Sequence, residues 1–139
     1  MTAITFPNSQ LAIRNLLRTL LADRAEPVAG GVTVSTKDIP GGDEGRPLPY
    51  IQVRTDGRAR DSRLNGTATV RVLVYHRDEG LGEELAALCE ALLLDSSSGD
   101  VRSIGSVAGP LSPPGGDPDT GDSFTFFTIS ARLRPRQLT

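Results

Sequence analysis

The chain has 139 residues, the length of one domain with a single compact core. With 37% hydrophobic and only 4% aromatic residues, that core has to rest on Leu, Val, Ile and Ala with a few Phe. Fifteen basic against seventeen acidic residues give a net charge of −2, which excludes the positive excess of a dedicated nucleic-acid binder.

Ile13, Leu16, Leu17, Leu20 and Leu21 recur at helical spacing, with Arg14, Asn15, Arg18, Thr19 and Asp23 on the opposite side. This predicts an amphipathic helix from about Ser9 to Ala25, with Asn8 or Ser9 as its cap and Gly30-Gly31 beyond its end. Val32 and Val34 alternate with Thr33 and Ser35 as a short strand, followed by a Gly- and Pro-rich loop from Lys37 to Pro49. Tyr50 to Thr55 alternates again, and Asp56 to Gly66 reads as a polar loop. Thr67 to Tyr75 carries Ala68, Val70, Val72 and Val74 at strict period two and is the clearest strand.

Leu81, Leu85, Leu88, Cys89 and Leu92 form the apolar stripe of a second helix, stopped by Ser96 to Gly99. A weak strand, Val101 to Ala108, leads into a loop from Gly109 to Asp122. Phe124 to Arg134 closes the chain as a long strand with Phe127, Ile129, Ala131 and Leu133 facing the core. The order α-β-β-β-α-β-β predicts one α+β domain over residues 1–139: a mixed or antiparallel sheet of about five strands with both helices on one face.

One cysteine excludes an internal disulfide, and no run of about 18 apolar residues is present that could span a bilayer. The start, Met1 to Pro7, lacks the pattern of a secretory signal, so a chain that stays in the cytosol or is packed into something assembled there is expected. Gly80-Leu-Gly82 lies where a phosphate-binding turn would, but the third glycine is missing and Glu83 and Glu84 put negative charge at the helix start. His76 and Cys89 are the only histidine and thiol. They make no zinc set, and Cys89 belongs to the apolar stripe, where an inert buried thiol is expected rather than half of a catalytic dyad. No nucleophile elbow, zincin or P-loop motif occurs, so no enzyme, cofactor or metal is expected.

Charge is instead segregated among the connections. Arg54, Arg58, Arg60 and Arg63 crowd one, with Asp56 and Asp61 between them; Asp117, Asp119 and Asp122 crowd another. A solvated surface accounts for either alone. Complementarity between copies accounts for both, a basic connection of one subunit meeting the acidic connection of the next head to tail.

Several local patterns follow one another in a particular order. They are Phe6-Pro7 with a Leu-rich, Arg-bearing helix; Tyr50-Ile-Gln-Val-Arg54 with an Arg-rich continuation; and Thr69-Val-Arg-Val-Leu-Val-Tyr75 leading into the Leu- and Ala-rich second helix. Ser106-Val-Ala-Gly-Pro110, an Asp- and Pro-rich loop and the final strand from Phe124 to Arg134 complete the set. In this joint order, over nearly the whole chain, the sequence resembles the tail terminator proteins of long-tailed phages, especially those of actinobacterial phages. The resemblance implies a small subunit, assembled in the host cytoplasm into a homohexameric ring on the head-proximal end of the phage tail. Its partners would be other copies of itself, the tail tube protein and the head-tail connector or stopper. DNA would pass the lumen without specific binding, and no membrane is involved. A neighbouring connector ring, an adaptor binding a partner along a sheet edge, and a small ferredoxin-like hydrolase using Arg54 to hold an anion are the alternatives.

Overall fold

A computed structural model describes residues 3–39, 47–117 and 121–138. Its elements are β1 (Ala3–Thr5), α1 (Ser9–Ala22), a 3-10 turn (Pro27–Ala29), β2 (Thr33–Ser35), β3 (Tyr50–Arg60), β4 (Gly66–His76), α2 (Glu79–Leu94), β5 (Val101–Leu111), β6 (Ser123–Leu133) and β7 (Arg136–Leu138). Five strands form one sheet in the order β2-β3-β4-β6-β5, and β1 with β7 forms a separate antiparallel pair. Only β2 with β3 is parallel; the other three pairings are antiparallel. The α+β class, the mixed five-stranded sheet and the two helices on one face agree with the expectation from sequence.

The helices form where the pattern places them. Asn8 caps α1 by accepting the Leu11 N–H at 3.2 Å, and Ile13, Leu17 and Leu21 turn into the core. The helix ends at Ala22 rather than Ala25. Pro27 disfavours helical geometry in the residue before it, and Glu26 is extended. In α2, Leu85, Ala86, Cys89 and Leu93 are buried and face β4, β6 and β5. Between the layers, Ile51 and Val53 of β3, Val70, Val72 and Val74 of β4, and Phe127 and Ile129 of β6 are wholly shielded from solvent.

Two strands run further than expected, and two short ones are added. The segment from Asp56 to Gly66, expected as a polar loop, is largely sheet: β3 continues to Arg60, paired with Gly66 of β4, and only residues 61–65 turn. Alternation in sequence reports burial of one face, and this hairpin extends past the helices, so its residues are polar although its backbone is paired. β5 likewise runs to Leu111 instead of Ala108, through Gly109 at φ +88, where a Cβ would lie 2.7 Å from the Phe126 carbonyl oxygen. Only glycine fits there. β1 and β7 are three residues each, too short to leave a pattern.

Candidate functional site

The long strands share one axis, and the charged residues sort along it. Gly66 of β4 is paired with Leu133 of β6, which is paired with Val101 of β5; at the other end His76 of β4 is paired with Ser123 of β6. Arg58, Arg60 and Arg63 lie at the first end, on the β3–β4 hairpin. Asp117 and Asp122 lie at the second, in the connection that enters β6. Asp119 lies outside the described residues. Ten steps of about 3.3 Å separate the ends by roughly 33 Å, so the basic and acidic groups do not meet within one subunit.

The fold adds members that the sequence reading missed. Arg102 near the start of β5, Arg132 at the end of β6, and Arg134 and Arg136 just beyond come to the basic end. Arg134 is held by the Ser98 carbonyl at 2.8 Å, and Arg136 is ion-paired with Asp100. Their alternation at 132, 134 and 136 is visible in the sequence, but their meeting with the hairpin depends on the β4–β6 pairing. At the acidic end, Asp78, Glu79 and Glu83 of the α2 start join Asp117 and Asp122.

Arg54 does not belong with the other arginines. A bulge between Thr55 and Gly57 inserts one residue into β3, which changes the face on which later side chains emerge. Arg54 stands opposite Arg71 on the face away from the helices, whereas Arg58 stands opposite the core residue Ala68. The two facing arginines are each neutralised: Arg54 by Asp38 at 2.8 Å, Arg71 by Asp56 at 3.0 Å. Asp38 also accepts from Gln52 at 2.6 Å. An anion pocket at Arg54, as the hydrolase alternative requires, would therefore already hold two carboxylates. Arg60 stacks over Phe6, 5.1 Å from the ring centroid, and donates to the carbonyls of Ser62 and Arg63. The depression that Arg58 and Arg60 share with Phe6 and Leu133 is about 200 Å³, below the range of ordinary small-molecule sites.

Part of the acidic connection folds back on its own sheet. Tyr50, Tyr75, Phe124 and Phe126 form a row of rings with centroids 6.5, 5.5 and 6.3 Å apart. Burial raises the pKa of the Tyr75 hydroxyl well above its usual value, and Asp117, which hydrogen-bonds it, adds to the shift. Ser112 ties the same connection down, bonding Glu83 at 3.0 Å and Thr125 at 2.8 Å.

The motifs weighed in the sequence resolve simply. Asp78 caps α2 by accepting the Leu81 N–H at 2.9 Å, so a carboxylate stands where the Gly80-Leu-Gly82 turn would need a phosphate. Cys89 is fully buried and its thiol is pushed up to about 12 by that burial, while His76 Nδ1 accepts the Asp78 N–H at 3.0 Å. Among the described residues no three His, Cys, Asp or Glu side chains are grouped to hold a metal ion, and no helix is long and apolar enough to cross a membrane.

No protein-family model matches the chain, and no curated protein matches it in sequence. In structure it is similar to a chain from the virion of a native gene transfer agent particle, at 14% identity and a TM-score of 0.64. The match covers 92% of this chain and 99% of that one. At this identity the likeness establishes a shared fold, from end to end of the virion chain.

Proposed function

We propose that this chain is a structural subunit of a tailed-phage virion, a tail terminator that assembles as a homohexameric ring on the head-proximal end of the tail tube. It stops tube growth and joins the tail to the connector. The observation that carries the proposal is the near-complete overlap with a virion chain; the ordered resemblance to tail terminators along the sequence supports it independently. The work is done by surfaces and not by catalysis.

The two charged ends give such a ring its polarity. Copies arranged around an axis parallel to their strands would carry Arg58, Arg60 and Arg63 on one rim and Asp117 and Asp122 on the other. One ring then offers unlike faces to the tube and to the connector, which steers each partner to its own side. This arrangement places the charged residues against adjoining rings; the near-neutral net charge lets DNA pass without a large release cost.

The test is direct. Purified protein, alone and mixed with tail tubes, is imaged by negative-stain electron microscopy and weighed by native mass spectrometry. Rings in solution or on one end only of each tube are expected. Protein that stays monomeric at every concentration and leaves tube ends bare would sink the proposal.

A further inference from the structure

The sheet has two edges, and they are finished differently. At the β2 edge the strand is three residues long, and Arg18 caps it by donating two hydrogen bonds, at 2.9 and 2.6 Å, to the Val34 carbonyl. Yet β2 covers only Tyr50 to Gln52 of β3. Further along, the Thr55 N–H is taken by the Gln10 side chain at 3.1 Å. Beyond it, among the described residues, no strand or side chain bonds the outer backbone of Gly57 to Arg60. At the β5 edge nothing among the described residues caps the backbone from Arg102 to Leu111.

Exposed edges are ordinarily blunted by shortness, charge, proline, bulges or cover, because their unpaired N–H and C=O groups recruit another strand. β5 is eleven residues long, holds one charge, Arg102, and bares Val107 and Leu111 at 57% and 56% exposure. Its bulges fall at Arg102, at Val107 and at Gly109-Pro110, which leaves Ser103 to Ser106 as a regular run. The open part of β3 has a regular run of the same length, Gly57 to Arg60. The two runs are level across the sheet: Gly105 pairs with Ser130, Ser130 with Thr69, and Thr69 with Gly57.

Within the ring reading, on which this inference rests, we propose that the occupant of the β5 edge is a second copy of this chain. Ser103–Gly105 of one subunit pairs with Gly57–Ala59 of the next, Gly105 opposite Gly57, so that the sheet continues from copy to copy. Strand direction permits it. Three successive antiparallel pairings make β3 and β5 run oppositely, so a neighbour in the same orientation brings its β3 antiparallel to β5. Side chains permit it too. On the face away from the helices the seam would set Ser103 and Gly105 against Gly57 and Ala59, none of them bulky.

On the helix face the charges are complementary. Arg58 emerges there, and the neighbour presents the carboxyl end of α2 with exposed Asp95, where helix carbonyls and a carboxylate favour a cation. The contact joins two different edges, so it is heterologous and can close into a ring.

Cysteine cross-linking tests this pairing. A Cβ placed at Gly57 or Gly105 meets nothing within 4 Å, and neither residue has positive φ, so Gly57→Cys and Gly105→Cys should both fold. Directly opposed strand residues have Cβ atoms about 4.5–5.5 Å apart, close to disulfide reach. Buried Cys89 stays silent.

Under mild oxidation, mixing the two single variants should give a disulfide-linked mixed dimer, with neither variant alone giving one. The double variant should give a ladder of covalent multimers. Ser103→Cys with Gly57→Cys covers a two-residue shift in register. Rings that form without either mixed cross-link would overturn the edge pairing and leave the ring reading standing. Dimers of one variant with itself would replace it by a two-fold contact. Neither rings nor cross-links, in solution or on tube ends, would remove both readings.

Discussion

On the face packed by α1 and α2, β4 and β6 present Val70, Val72, Val74, Phe127 and Ile129, all fully buried among aliphatic neighbours. On the opposite face the same two strands present Arg71, Leu73, Phe124 and Phe126, which share their surroundings with ion pairs and two loop segments. Of the described residues of these two strands on that face, only Tyr75 is nearly fully buried, beside Tyr50 and Gln52 of β3. The first face is closed by secondary structure and sets stability. The second is closed only in part, and its polar contacts set the positions of the connections. A subunit that must present particular loops to neighbours needs both.

The largest effect separating the faces is expected from Phe127→Ala, which should cost about 3–5 kcal/mol in urea unfolding. Phe126→Ala, one residue along but on the other face and partly exposed, should cost clearly less. Equal losses would break the comparison.

Tyr75→Phe comes next, removing a hydroxyl bonded to a carboxylate and costing about 1.5 kcal/mol near neutral pH. Its pH dependence sharpens the point. Because the folded protein holds the Tyr75 proton more tightly than the unfolded chain, that contribution is complete below the ordinary value of 10.0 and is lost as pH rises above it. Chemical denaturation across pH 8 to 11 should show the wild type weakening on the alkaline side and Tyr75→Phe weakening less; identical alkaline slopes would contradict the linkage.

The smallest change is expected from Arg71→Ala. The Arg71–Asp56 pair is partly exposed, and its loss should shift stability by less than about 1 kcal/mol, with the difference shrinking in high salt. A larger loss measured in the same unfolding experiment would mean that the open face is held together more tightly than its exposure implies.

The elements whose burial is one-sided were legible in the sequence. Val70, Val72 and Val74 alternate and Leu85, Cys89 and Leu92 recur helically because a single face of each element is buried. The hairpin beyond Thr55 left no such trace, since neither of its faces is covered by a helix, and its residues read as loop. The candidate surface was legible only in composition. Arg58, Arg60 and Arg63 could be seen as a cluster, but the arrival of Arg102 and Arg132 beside them is a product of strand order, which pairs residues some seventy positions apart. The assignment of Arg54 to that cluster failed because a bulge cannot be read from alternation that has already lost its apolar partner.

That bulge also bears on how such a subunit could change in length over time. Since the extra residue is taken up between the neighbouring pairs Thr55–Val70 and Gly57–Thr69, a single-codon deletion of Asp56 would straighten β3 and leave Arg58 and Arg60 opposite Ala68 and Gly66, while removing the carboxylate that pairs with Arg71. Strand length could thus differ by one residue between related particles while the arginine rim keeps its face, so that a gap at this point of an alignment would not mean a changed surface.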